Sequence, residues 1–100
     1  MIGIVILNFN SATYVKSAAE SIIRTGFMDF RLYVVDNFSS LQEAENIRNL
    51  CSIDARIEPI TLSTNHSFSH GTNQGIKAAL RDKCDFIHIF NPDVLVAANF

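Results

Sequence analysis

Asn91-Pro92-Asp93 follows the apolar run Phe86-Ile87-His88-Ile89-Phe90. The run has the pattern of a buried strand. The proline ends it and, through its locked φ, aims the next residue in one direction. Asp93 is thereby expected on a stiff turn at the mouth of a sheet, where open α/β folds take their ligands. A single carboxylate so placed can hold one side of a hard cation such as Mn2+ or Mg2+, and the oxygens of a diphosphate can supply the rest of the shell.

Three more polar clusters punctuate the chain. They are Asn8-Phe9-Asn10-Ser11, then Asp36-Asn37-Phe38-Ser39-Ser40, then Ser63 to Ser67 with Gly71-Thr72-Asn73-Gln74-Gly75. Any one of them is explained by turn and cap chemistry, for which Asn, Ser and Gly are the usual residues. Four on one rim is more than turning requires. Asp36 stands where an acid can meet the sugar or base of a nucleotide. A carboxylate accepts hydrogen bonds, and uracil and thymine offer an N3–H that cytosine lacks, while guanine also offers donors. The plainer role for Asp36 is to order the turn from Asn37 to Ser40.

Other candidates carry less. His66 and His70 are four apart but sit in a Ser- and Gly-rich stretch with no third metal ligand in view. His88 lies among aromatic and aliphatic residues and reads as a satisfied core histidine. Cys51 and Cys84 lack metal-ligand spacing and read as reduced structural thiols of a cytosolic protein. No Gly-x-Gly-x-x-Gly follows the first strand, and no Walker A sequence is present, which speaks against those two phosphate-binding designs.

The elements that must position these groups follow from hydrophobic pattern. Strands are expected over 4–8, 31–36, 56–62 and 86–90. The near-continuous apolar character of three of them suits parallel strands covered on both faces. The third is weaker because Pro59 cannot donate to a ladder, so it belongs at an edge. A first helix follows from the stripe Tyr14, Val15, Ala18, Ala19, Ile22 and Ile23, closed by Gly26. Ser40-Leu41-Gln42-Glu43 is a capping box, opening a second helix with Leu41, Ala44, Ile47 and Cys51 on one face. A third begins near Thr72 or Asn73 and turns Ile76, Ala79 and Leu80 inward. The βαβαβαβ order implies right-handed crossovers and a three-layer α/β/α domain around a parallel sheet.

Composition sets outer limits. The 100 residues make one small domain, and 48% hydrophobic content is enough for a real core. The net charge of −2 argues against a nucleic-acid partner, which demands a basic face. No apolar stretch reaches the roughly 18 residues of a membrane span. The start of the chain has no basic region of the kind that precedes a signal peptide's apolar segment.

Together these motifs resemble family 2 glycosyltransferases of the GT-A fold, especially the rhamnosyltransferase-like branch. The text that carries the resemblance is Ile4 to Asn10, Val34-Val35-Asp36-Asn37 with Ser39-Ser40, Asn65 to Gly75, and Phe86 to Val94. The resemblance implies a GT-A sheet of order 3-2-1-4 and binding of a UDP- or dTDP-sugar with a divalent metal, for inverting transfer to an acceptor hydroxyl. It places Leu7, Asn8, Asn10, Asp36 and Asn37 around the base and ribose. Asn65, Gly71, Asn73 and Gly75 would shape the nucleotide wall, Asn91 would approach the ribose or sugar, and Asp93 would hold the metal. Phe38 stands where the family usually has a small residue, Leu41 where it often has an acid, and His70 where a small residue is typical.

The resemblance also implies that the acceptor site and the catalytic base lie beyond the metal motif. The expectation is therefore a donor-binding half that does not transfer sugar by itself, at most peripheral to the inner face of a membrane. The fourth strand should then be a bare edge through which the chain self-associates, most simply as a homodimer. The competing reading is a non-catalytic α/β binding or receiver-like module. A receiver wants an acidic pair after the first strand, and this chain has asparagines there.

Overall fold

The computed structural model describes residues 1–64 and 67–90. Four strands and three helices alternate: β1 (Ile2–Asn8), α1 (Ala12–Arg24), β2 (Phe30–Asp36), α2 (Leu41–Cys51), β3 (Ile57–Thr61), α3 (Phe68–Arg81) and β4 (Phe86–Phe90). All pairings are parallel, and the sheet runs β3-β2-β1-β4, the expected order. Leu7 pairs with Val35 and Asn8 with Asp36, so the first two polar clusters leave the sheet side by side.

The period-2 alternation of each strand divides its side chains between two cores. Ile4, Ile6, Leu32 and Val34 pack under α1 and α2 with Val15, Ala19, Ile22 and Ile47. Val5, Tyr33 and Val35 pack under α3 with Ala78 and Ala79. β1 and β2 are buried on both faces through their middle residues, which is why residues 4–7 and 32–35 are continuously apolar. β3 is the edge that Pro59 requires, with Pro59 exposed opposite Val34.

The helices depart from the simplest reading of their patterns. Tyr14 and Leu41 belong to the expected apolar faces, yet they are 59% and 90% exposed. Each lies in the first turn of its helix, where the chain is only beginning to cross the sheet. α3 begins at Phe68, ahead of the expected Thr72 or Asn73, because Ser67 caps it by accepting from the His70 backbone N–H at 3.2 Å. Its buried face is not Ile76 and Leu80 but Gly71, Thr72, Gly75, Ala78 and Ala79. Small residues let the helix lie close to the sheet. A Cβ on Gly71 would come within 2.6 Å of Leu7 Cδ1, and one on Gly75 would overlap Val5. Leu80 is consequently turned out, at 62% exposure.

β4 matches its expected bounds, but its surroundings differ from those of a covered strand. Among the described residues it pairs only with β1. Phe86 is 72% exposed and Ile89 42%. His88 is exposed rather than a core histidine, and meets Phe90 edge-on at a ring separation of 5.7 Å. An edge strand lacks the neighbour that would have buried it.

Candidate functional site at the rim of β1 and β2

The site is built from the ends of two adjacent strands. Asn8, the last residue of β1, is fully buried and donates from Nδ2 to Asp36 Oδ1 at 2.9 Å. Its Oδ1 accepts from both the backbone N–H and the hydroxyl of Ser11, each at 3.0 Å. The amide thus uses both ends, one toward β2 and one toward the start of α1. The Asn8 carbonyl accepts from the Asn37 N–H at 2.8 Å, extending the ladder one step past the strands. Asn37 is buried as well.

Ser39 joins the two loops from the other side. Its hydroxyl accepts the Asn10 backbone N–H at 2.9 Å and lies 3.4 Å from Asn8 Nδ2. Asn10 Oδ1 in turn accepts from the Ser40 N–H at 3.4 Å. This bracing holds two residues in the left-handed region, Asn10 at φ 53° and Phe38 at φ 57°. Asparagine tolerates that region. For a phenylalanine it is strained, and such strain persists where the surroundings over-determine the backbone. Phe38 and Phe9 are both about half exposed, at 54% and 51%, and flank the polar rim.

Asp36 is 2% exposed, and its second oxygen, Oδ2, has no hydrogen-bond partner among the described residues. A buried acceptor left so costs about 1–3 kcal/mol. Thr72 Oγ1, in the first turns of α3, is another buried polar atom without a partner among the described residues. Unsatisfied groups of this kind at the end of a parallel sheet suit a ligand that brings donors.

The predicted site residues divide into four groups. Asn8, Asn10, Asp36 and Asn37 are brought together in one hydrogen-bonded rim. Leu7 and Gly71 meet behind it, where Gly71 provides the close approach of α3 to the sheet. Asn73 is exposed on α3. Asn65, Asn91 and Asp93, with His66 of the possible histidine pair, lie outside the described residues. Sequence reasoning missed Ser39 as the junction between loops, and it missed Glu43 and Thr72. For Ser39 the signal was present in the run Asp36-Asn37-Phe38-Ser39, a polar cluster directly after a strand. For the other two it was not: Glu43 accepts from Ala12 of another helix, and the burial of Thr72 follows from how α3 lies on the sheet.

Among the described residues no three or more His, Cys, Asp or Glu side chains form a metal cage. A cation at this rim would therefore need ligand oxygens of its own, which is the chemistry a diphosphate supplies. The strongly shifted acids lie elsewhere. Asp82, at the end of α3, is held down at about 2, first by Arg81 and then by the Tyr33 hydroxyl, which donates to it at 2.6 Å. Asp54 is likewise held at about 2 by Arg56. Burial pushes the Cys51 thiol up to about 11. Cys51 and Cys84 are both free thiols.

The profile of glycosyl transferase family 2 matches residues 3–100. The chain belongs to that family. No curated protein matches the sequence at a significant level. The glycosyltransferase fold is shared with solved structures. A 1–349 fragment of S. aureus TarS superposes with a TM-score of 0.83 at 19% identity, over 98% of this chain and 29% of that one. TarS in complex with UDP gives 0.68 at 24%, over 92% and 27%. The mannosyltransferase PcManGT from Pyrobaculum calidifontis, in complex with GDP-Man and Mn2+, gives 0.77 at 16%, over 94% and 28%. This chain thus spans less than a third of each of these proteins. Among the described residues, no helix of the family 2 domain is long and apolar enough to cross a membrane.

Proposed function

We propose that this glycosyltransferase domain binds the nucleotide of a UDP- or dTDP-sugar at the rim of β1 and β2, as the donor-binding part of an inverting transferase. The observation that carries the reading is the buried Asp36 carboxylate, with one oxygen bonded to Asn8 and the other without a partner among the described residues. An N3–H of uracil or thymine is a donor of the right kind for that oxygen. Relatives in fold were solved with UDP and with GDP-Man and Mn2+. They support a nucleotide sugar in general and leave the choice of base to Asp36.

Calorimetry should give tighter binding of UDP or dTDP than of CDP, by about 1–3 kcal/mol for one buried hydrogen bond. Asp36→Asn, whose amide can turn its NH2 toward the base, should narrow or invert that preference. CDP binding as tightly as UDP to the unaltered protein would remove the role given to Asp36.

Asp93 would hold a divalent cation together with the diphosphate, with Asn91 beside the ribose or sugar. Such a cation neutralises charge that develops on the departing diphosphate. Mn2+ should strengthen UDP binding in the unaltered chain and fail to do so in Asp93→Ala, with the fold unchanged by circular dichroism. Equal enhancement in both proteins would exclude Asp93 as the ligand. The acceptor hydroxyl and the base that takes its proton belong, in this reading, to sequence outside these 100 residues, so the chain alone should not transfer sugar.

A second copy of the chain is the partner favoured for β4. The strand Phe86-Ile87-His88-Ile89-Phe90 reads identically in both directions. Antiparallel pairing about His88 would therefore match Phe86 with Phe90 and Ile87 with Ile89 of the other copy, a two-fold arrangement. Ile2, Ile4, Ile22, Phe27, Phe86 and Phe90 line an apolar groove beside that edge. A cytoplasmic location, peripheral to the inner face of a membrane, completes the proposal.

A further inference from the structure

Glu43 occupies the third position of α2, where a capping box would turn its carboxylate back to the Ser40 N–H. Half of the box is present: the Ser40 hydroxyl accepts from the Glu43 N–H at 3.2 Å. The other half has been redirected. The Ser40 N–H faces Asn10 Oδ1, and Glu43 Oε1 accepts instead from the backbone N–H of Ala12, the first residue of α1, at 2.7 Å. A carboxylate–amide bond this short is of the charge-assisted kind.

α1 needs that carboxylate. Its own N-cap residue, Ser11, makes no side-chain cap, and its first turn holds no acid. The Ser11 hydroxyl is committed to Asn8 Oδ1. Ala12, at the start of α1, is half-buried, and a negative charge is favoured at its N–H. A neighbouring helix supplies it.

The consequence reaches the rim. Three side-chain acceptors from outside the turn hold Asn8 to Ala12: Asp36 for the Asn8 amide, Ser39 for the Asn10 N–H, and Glu43 for the Ala12 N–H. Glu43 is the one anchor of the three that comes from a helix packed across α1. We propose that Glu43 is a positioning residue that fixes the Asn8–Ser11 turn, and through it the nucleotide affinity of the Asn8–Asp36 pair. This rests on the nucleotide-binding reading above.

Three proteins decide it: the unaltered chain, Glu43→Ala and Glu43→Gln, with UDP as the probe. Glu43→Ala should bind UDP about fivefold more weakly, the size of a lost helix cap. Amide exchange at Ala12 and Asn10 should speed up by a similar factor or more, while amides of α3 keep their protection. Glu43→Gln retains an oxygen that can accept from Ala12 but loses the charge, so both readouts should fall between those of the unaltered chain and Glu43→Ala. Unchanged UDP affinity in Glu43→Ala overturns the proposal. So does a loss that the glutamine variant shares in full. A loss that tracks melting temperature, with α3 amides exchanging as fast as Ala12, makes the residue merely structural and also overturns it. If the unaltered chain binds no nucleoside diphosphate, the nucleotide reading itself fails. The exchange comparison still reports separately whether Glu43 holds the turn.

Discussion

The rim above β1 and β2 and the open flank of β4 belong to the same sheet and end in opposite states. At the rim, polar atoms are buried: Asn8 and Asp36 are almost inaccessible, and all but one of their side-chain polar atoms are matched among the described residues. Along β4, apolar atoms are bare, with Phe86 and Ile89 open to solvent. β1 has a parallel neighbour on each side, so its end is a floor on which polar groups can be fixed. β4 has one neighbour among the described residues, and its apolar sequence exceeds what that neighbour can cover. Burial follows from what flanks a strand as much as from the strand's own residues.

If the flank is a contact surface and the rim a ligand site, changes to one should leave the other untouched. The largest effect is expected from Ile89→Lys, which puts a charge on the exposed edge. It should weaken self-association at least about tenfold by light scattering, with UDP affinity unchanged. A monomeric unaltered chain at high micromolar concentration would break the comparison by showing that the bare flank is tolerated.

A smaller effect should come from within the rim. Phe38→Gly removes a side chain from a left-handed residue, whose strain is about 1 kcal/mol, partly offset by the freedom glycine regains when unfolded. Chemical denaturation should show a net gain of up to about 1 kcal/mol. A loss would mean that the exposed Phe38 ring makes a stabilising contact that outweighs its backbone strain.

The smallest effect lies in the ion pairs remote from both regions. Asp54 and Asp82 titrate near 2, below the ordinary value of 3.8, because Arg56 and Arg81 respectively favour their charged forms. A lowered carboxyl stabilises the fold at pH above its unfolded value and loses that contribution as pH falls through the folded one. Melting temperature should therefore be level above about pH 5 and decline between pH 4 and 2. Arg56→Gln should flatten part of the decline without shifting UDP affinity at pH 7. An unchanged acid profile would show that the Asp54–Arg56 pair is screened by solvent.

Much of the fold was legible in the residues because local and global preferences agree. Near-continuous apolar runs in β1 and β2 announced parallel strands with two covered faces, and Pro59 announced an edge. The capping residue Ser40 opened α2 where it was expected. The family motifs implied the strand order that the sheet adopts, and that order sets Asn8 beside Asp36. The exposed Tyr14, Leu41 and Leu80 were not legible. An amphipathic stripe indicates which residues share a helix face, while the height of the helix above the sheet selects those that reach it. In α3 that height is set by Gly71 and Gly75 against Leu7 and Val5.

The sequence by itself determined the alternation of elements, the polar strand ends and the acid at the end of β2, since each depends on residues close along the chain. Only the tertiary structure decided what those polar groups do to one another. Asp36 keeps one oxygen for Asn8 and leaves the other without a partner among the described residues. Ser39 serves two loops, and Glu43 caps a helix other than its own. A hydrogen bond is won by whichever donor folding brings within about 3 Å, and the spacing from Ala12 to Glu43 in sequence carries no sign of that meeting.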